Sequence, residues 1–108
     1  MKFTVAVAEL ERLFKATVER PRKTDTVTLS ACAGHVFIEC RGDVAGIESP
    51  VIRDGAVTLS AQKFRDLLRT YKDMGALTFD GGAEGLHIET LPMRVLGYDP
   101  HPKPLAEL

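Results

Sequence analysis

The sequence predicts an α+β domain made from one β-α-β-β-β unit used twice, with two helices on one face of antiparallel sheet. Three observations predict it. Strand-like alternation passes directly into helical spacing at two places: Phe3-Thr4-Val5 precedes an apolar stripe at Leu10, Leu13 and Phe14, and Val57-Thr58-Leu59 precedes one at Phe64, Leu67 and Leu68. The two openings lie 54 positions apart, half of the 108 residues, and Lys15 falls on Arg69 as well, which marks a repeated unit. Each opening is followed by short alternating runs bounded by turn residues.

In the first half, residues 1–53, Lys2 to Val7 alternates with Phe3, Val5 and Val7 on one side. Ala8 to Arg20 then takes helical spacing through Leu10, Leu13, Phe14, Thr17 and Val18, and Pro21 stops it. Arg20-Pro21-Arg22-Lys23-Thr24 is a basic connecting loop. Thr26 to Cys40 reads as a hairpin about Ala33-Gly34, pairing Val27 with Cys40, Leu29 with Ile38 and Ala31 with Val36 on one face. Thr28 with Glu39, Ser30 with Phe37 and Cys32 with His35 fill the other, as in a half-buried sheet. After the Arg41-Gly42-Asp43 turn, Val44 to Ile52 is a third strand, with Gly46 a candidate bulge and Pro50 suited to an edge.

In the second half, residues 54–99, Ser60 is a good N-cap for a helix over Ala61 to Asp73, with Phe64, Leu67, Leu68 and Tyr71 facing inward and Gly75 ending it. Ala76 to Asp80 and Leu86 to Thr90 form a hairpin across Gly81 to Gly85, and Met93 to Tyr98 is the last strand. Residues 100–108 follow with Pro100, Pro102 and Pro104 at alternate positions, the composition of an extended tail or linker.

Composition excludes several classes of function. With 44% apolar and 27% charged residues the chain is an ordinary globular domain, long enough for one core, and neither an export signal nor 18 consecutive apolar residues occurs, so cytoplasm is expected and no membrane partner. Cys32 and Cys40 fall on opposite faces of the expected hairpin, which makes them structural thiols rather than a disulfide. His35, His87 and His101 have no metal-ligand spacing, no phosphate-cradling loop or nucleophile elbow is present, and no cofactor or small-molecule substrate is implied. Arg41-Gly42-Asp43 copies an adhesion tripeptide but reads as a turn. Asp66 with Asp73 fits ordinary solvation of a helix's polar face better than a catalytic carboxylate pair, so no enzyme is expected.

Met1-Lys-Phe-Thr-Val5 followed by a helix, the Gly55 to Arg69 stretch, Leu86-His-Ile88 and the proline-bearing end together resemble one domain of the bacterial DNA polymerase III beta subunit, the sliding clamp. That resemblance implies a clamp-like fold and a non-enzymatic role in DNA replication or repair. Three such domains make that family's chain, two chains make its ring, and its partner pocket lies between two domains, whereas one domain is present here. Carried over position by position, the DNA-facing residues would be Arg12 and Lys15 on the first helix, Arg20, Arg22 and Lys23 in the loop, and Arg65, Arg69 and Lys72 on the second helix. The expected partners are duplex DNA through backbone contacts, a second copy in head-to-tail pairing, or replication proteins.

The residue pattern alone leaves two readings of those helices. With the apolar stripe inward, Gln62, Asp66, Arg69 and Asp73 point outward while Arg65 and Lys72 lie on one flank, and Arg12 and Lys15 share their face with Glu19. A track for phosphates and a mixed solvated face are both consistent with that pattern, and a clamp-fold interaction module that binds no DNA is the alternative function.

Overall fold

Phe3 and Val5 alternate inward along β1 (Lys2–Ala6), and α1 (Val7–Thr17) begins at the next residue; the computed structural model describes residues 1–18 and 20–106. There follow β2 (Thr26–Cys32), β3 (His35–Cys40), β4 (Asp43–Glu48), β5 (Val51–Arg53), β6 (Gly55–Ser60), α2 (Ala61–Thr70), β7 (Ala76–Gly82), β8 (Gly85–Ile88), β9 (Leu91–Met93) and β10 (Gly97–Asp99). All strand pairs are antiparallel and form two five-stranded sheets, ordered β5-β1-β7-β8-β9 and β10-β6-β2-β3-β4.

The two orders are one order. Exchanging the halves turns β5, β1, β7, β8 and β9 into β10, β6, β2, β3 and β4, so an approximate internal two-fold relates the sheets. Each half lends its first strand to the hairpin of the other: Phe3 pairs with Phe79 and Val57 pairs with Leu29. The threonine pairs Thr4 with Thr78 (3.0 Å) and Thr58 with Thr28 (3.1 Å) repeat the same contact in both sheets. Neither half could bury its apolar face alone, because the strand that completes its sheet comes from the other.

The β2–β3 hairpin has the expected register, Leu29 opposite Ile38 and Cys32 opposite His35, and turns on Ala33 (φ 53°) and Gly34 (φ 71°), the left-handed pair that a two-residue hairpin requires. Arg41 (φ 53°) and Gly42 (φ 84°) form a second such turn, so Arg41-Gly42-Asp43 joins β3 to β4. Four expectations need correction. The third strand of each half divides: Ser49 and Pro50 separate β4 from β5, and residues 94–96 separate β9 from β10. The Ser49 hydroxyl donates to the Thr4 carbonyl at 2.7 Å, which fixes the point where the chain passes from one sheet to the other. Gly46 is no bulge; it sits opposite Phe37 in regular register, where a Cβ would come within 2.5 Å of the Phe37 ring.

Both helices are shorter than the periodicity indicates. In α1 the Thr17 hydroxyl and the Val18 amide both donate to the Phe14 carbonyl (2.9 Å each), and extended Val18 turns into the core three residues before Pro21. In α2 the Ser60 hydroxyl caps the Lys63 amide, but the helix ends at Thr70, and Gly75 instead accepts a hydrogen bond from Val7 at 3.2 Å. The β7–β8 hairpin also tightens, with Gly81 and Gly82 paired in strand and only Ala83-Glu84 in the turn.

One core fills the space between sheets and helices, with Phe3, Phe64, Phe79, Leu10, Leu29 and Leu59 fully buried. Phe3 and Phe79 stack at 4.8 Å.

Candidate nucleic-acid interface

α1 and α2 lie side by side and antiparallel, held by matching contacts at both ends. The first amide of each helix donates to the carbonyl just before the other half's hairpin, Val7 to Gly75 (3.2 Å) and Ala61 to Asp25 (3.1 Å), and Phe14 meets Phe64 edge-on between them at 5.3 Å. The apolar stripes are thereby used up on the core and on each other. The remaining faces carry the charge.

On α1, Arg12 and Lys15 are exposed, and each is paired along its own helix: Arg12 with Glu9, and Lys15 with Glu11 at 2.9 Å. On α2, Arg65 is partly covered and lies 3.5 Å from Asp66, while Arg69 is exposed with no carboxylate in ion-pair range among the described residues. Lys72 is exposed on the turn after the helix, as is Asp73. Glu11 and Lys15 from one helix and Arg65 and Arg69 from the other line a shallow groove over Phe14 and Leu68, which brings three of the expected cations together. Gln62, expected to point outward, is half-buried and donates to the Pro21 carbonyl at 3.2 Å. Glu19, expected to share the Arg12 face, lies outside the described residues.

Arg20, Arg22 and Lys23 are exposed in a loop seated at the start of α2. Asp25 organises that loop, accepting from the Arg22 amide at 2.6 Å and pairing with Arg41, which also donates to the Arg20 carbonyl at 3.4 Å. The Arg41 guanidinium, and then the Arg22 amide, hold the Asp25 carboxyl below its usual range. Sequence reasoning missed the part played by Arg41, 16 residues from Asp25, because no local pattern signals a contact made by folding one turn onto another loop. It also passed over Lys63, exposed on α2. Burial raises the thiols of Cys32 and Cys40, both free.

Charge is unevenly distributed. Residues 7–25 and 61–73 hold nine Lys and Arg against six Asp and Glu, net +3, whereas the rest of the chain holds five against nine, net −4, for the total of −1. Among the described residues there is no cluster able to hold a metal ion and no helix long and apolar enough to cross a membrane.

No protein-family model and no curated protein matches the sequence. Solved structures do match the fold. One is the DnaN sliding clamp (DNA polymerase III subunit beta) from Bartonella birtlesii bound to griselimycin, with a TM-score of 0.71 and 17% identity over 88% of this chain. Another is the Helicobacter pylori beta clamp in complex with carprofen, with a TM-score of 0.72 and 18% identity over 88% of this chain. The chain spans 29% of the length of each. Its fold is that of a clamp-like α+β domain.

Proposed function

We propose that this clamp-fold domain works without catalysis in DNA replication or repair, lying along duplex DNA through the α1–α2 face and contacting phosphates rather than bases. The segregation of charge, +3 on the helix and loop segments against −4 elsewhere, carries this reading, because duplex is bound through its backbone charge. Lys15, Arg65 and Arg69 supply the centre of the track, Arg12 and Lys72 its flanks, and Arg20, Arg22 and Lys23 an extension toward the loop.

Self-association in head-to-tail fashion is the natural complement. β4 leaves one side of a six-residue strand unpaired, with Asp43 and Glu48 along it and Val44 exposed; β9 at the end of the other sheet has exposed Leu91 and is followed by Arg94. Acidic side chains along one edge and a basic one beside the other, each next to an exposed apolar residue, favour a heterologous contact. A protein-interaction module that binds no DNA is the second reading, favoured by the ion pairs that already occupy Arg12 and Lys15.

Fluorescence anisotropy on duplexes of unrelated sequence tests the first reading. Replacing Arg12, Lys15, Arg69 and Lys72 by Glu should abolish binding while the fold persists, since all four are exposed. Asp66→Lys with Asp73→Lys should tighten binding by removing repulsion. Absence of wild-type binding at low salt, together with a strictly monomeric mass at micromolar concentration, would transfer the assignment to the interaction module.

A further inference from the structure

The two halves repeat each other strand for strand but differ in two lengths, and the two differences meet. Corresponding residues run across the sheets as Phe3, Phe79, Ile88 and Leu91 in one and as Val57, Leu29, Ile38 and Ala45 in the other. Beyond that point the β8–β9 hairpin turns at once through Glu89 and Thr90. β3 and β4 instead continue for two more pairs, Glu39 with Val44 and Cys40 with Asp43, before turning at Arg41 and Gly42. The link from α1 to β2 is also the longer one, residues 18–25 against 71–75 after α2. The extended hairpin carries Arg41 onto the extended link, where it pairs with Asp25. At the place of Asp25 the other half has Gly75, whose carbonyl likewise accepts from the first amide of the opposite helix but which has no side chain to pair.

The bonds made at this junction fix the loop's backbone rather than its cations. The Arg20 carbonyl accepts from Arg41 at 3.4 Å and the Pro21 carbonyl from Gln62 at 3.2 Å. The Arg22 amide donates to the Asp25 carboxylate at 2.6 Å, and the Asp25 amide donates to the Arg22 carbonyl at 3.0 Å. Backbone groups of a surface loop can be satisfied by water, which leaves the chain free to move. Here protein groups hold them, while the Arg20, Arg22 and Lys23 side chains are exposed with no ion pair among the described residues. A loop ordered before its ligand arrives loses less entropy on binding than a mobile one.

We infer that Arg41 and Asp25 are positioning residues for phosphate contacts made by Arg20, Arg22 and Lys23, an inference that rests on the proposed binding of duplex DNA. Arg41 is neutralised by Asp25, so removing it takes away loop order and not a phosphate contact. Asp25 separates this role from simple charge. Deleting a carboxylate beside three cations should by itself tighten binding to a polyanion, whereas freeing the loop should weaken it.

Anisotropy of a labelled duplex at one low salt concentration tests this in full chains. The variants are Asp25→Ala, Arg41→Ala, the combined changes Arg20→Gln, Arg22→Gln and Lys23→Gln, and that neutral loop joined to each single change. Ala33 (φ 53°) already occupies the same left-handed turn position as Arg41 (φ 53°), so Arg41→Ala should leave its hairpin intact. Each single change should weaken binding about tenfold, the entropy of fixing about one residue again, and should alter affinity by less than about twofold once the loop is neutral. Wild-type or tighter binding by Asp25→Ala would overturn the positioning role. So would a loss from Arg41→Ala that persists with the neutral loop, the mark of a phosphate contact by Arg41 itself. Amide NMR without DNA gives a second readout: Arg22, Lys23, Thr24 and Asp25 should be as rigid as the strands in the wild type and mobile in both single variants, with strand amides unchanged. Loop amides that stay ordered in the variants would overturn the inference whatever the affinities. Wild-type protein that fails to bind duplex at low salt would overturn the DNA reading and this use of the loop together, whereas wild-type binding that both single changes leave intact would overturn the positioning role alone.

Discussion

Removing two carboxylates should make DNA binding more dependent on salt, because Glu9 and Glu11 hold two of the cations assigned to phosphate. In the wild type Arg12 is paired with Glu9, Lys15 with Glu11 and Arg65 with Asp66, which leaves five of the eight track cations, Arg20, Arg22, Lys23, Arg69 and Lys72, with no ion pair among the described residues. Five phosphate contacts give a slope of log K against log salt of about −4.5, so affinity should fall about 500-fold between 50 and 200 mM salt. In Glu9→Gln with Glu11→Gln, Arg12 and Lys15 become available, the slope should reach about −6.3, and the same change of salt should cost about 6,000-fold. The substitutions forfeit only exposed same-helix pairs, of about 0.3–0.5 kcal/mol each, so the fold should persist. Anisotropy of a labelled duplex titrated at several salt concentrations reads both slopes. A slope that does not steepen in the double variant would refute the placement of phosphates along α1, and a slope near zero in both proteins would refute a backbone track altogether.

Three predictions concern the fold. Gly55→Ala should lower Tm by about 4–12 °C, because a Cβ there comes within 2.7–2.9 Å of Met1 atoms and overpacking costs about 1–3 kcal/mol, whereas Gly75→Ala, with nothing within 4 Å, should raise Tm by about 2–4 °C. A rise in the first or a fall in the second, seen by thermal melting, would contradict that packing. Phe64→Ala should cost about 3–5 kcal/mol in chemical denaturation, since it empties a fully buried site and removes the edge-on contact to Phe14 at the helix pair; a loss under 1 kcal/mol would mean the helices do not lean on it. Asp25→Asn should lower Tm at pH 7, and the difference should close as pH falls. Arg41 holds the folded Asp25 carboxyl below its ordinary value of 3.8, so its stabilising effect is present above that value and is lost as pH drops through the depressed one. A difference that grows with acid would reverse the sign and exclude the pairing.

The sequence by itself determined what depends on neighbours along the chain. Alternation marked the strands, the i, i+3, i+4 stripe marked both helices, Ala33-Gly34 set the hairpin register, and the 54-residue offset exposed the duplication. The eight candidate cations were legible as charges on expected helix faces and a loop, yet their partners were not. That Lys15 would share a groove with Arg65 and Arg69, or that Arg41 would tie the loop through Asp25, depends on contacts between distant segments. Only the tertiary structure decided that each half gives its first strand to the other's sheet, that Ser49 and Pro50 divide the expected third strand between two sheets, and that Thr17 and Val18 end a helix before its proline. Periodicity records which residues seek burial but not against what, and here the burying surface is supplied by the other copy of the same unit.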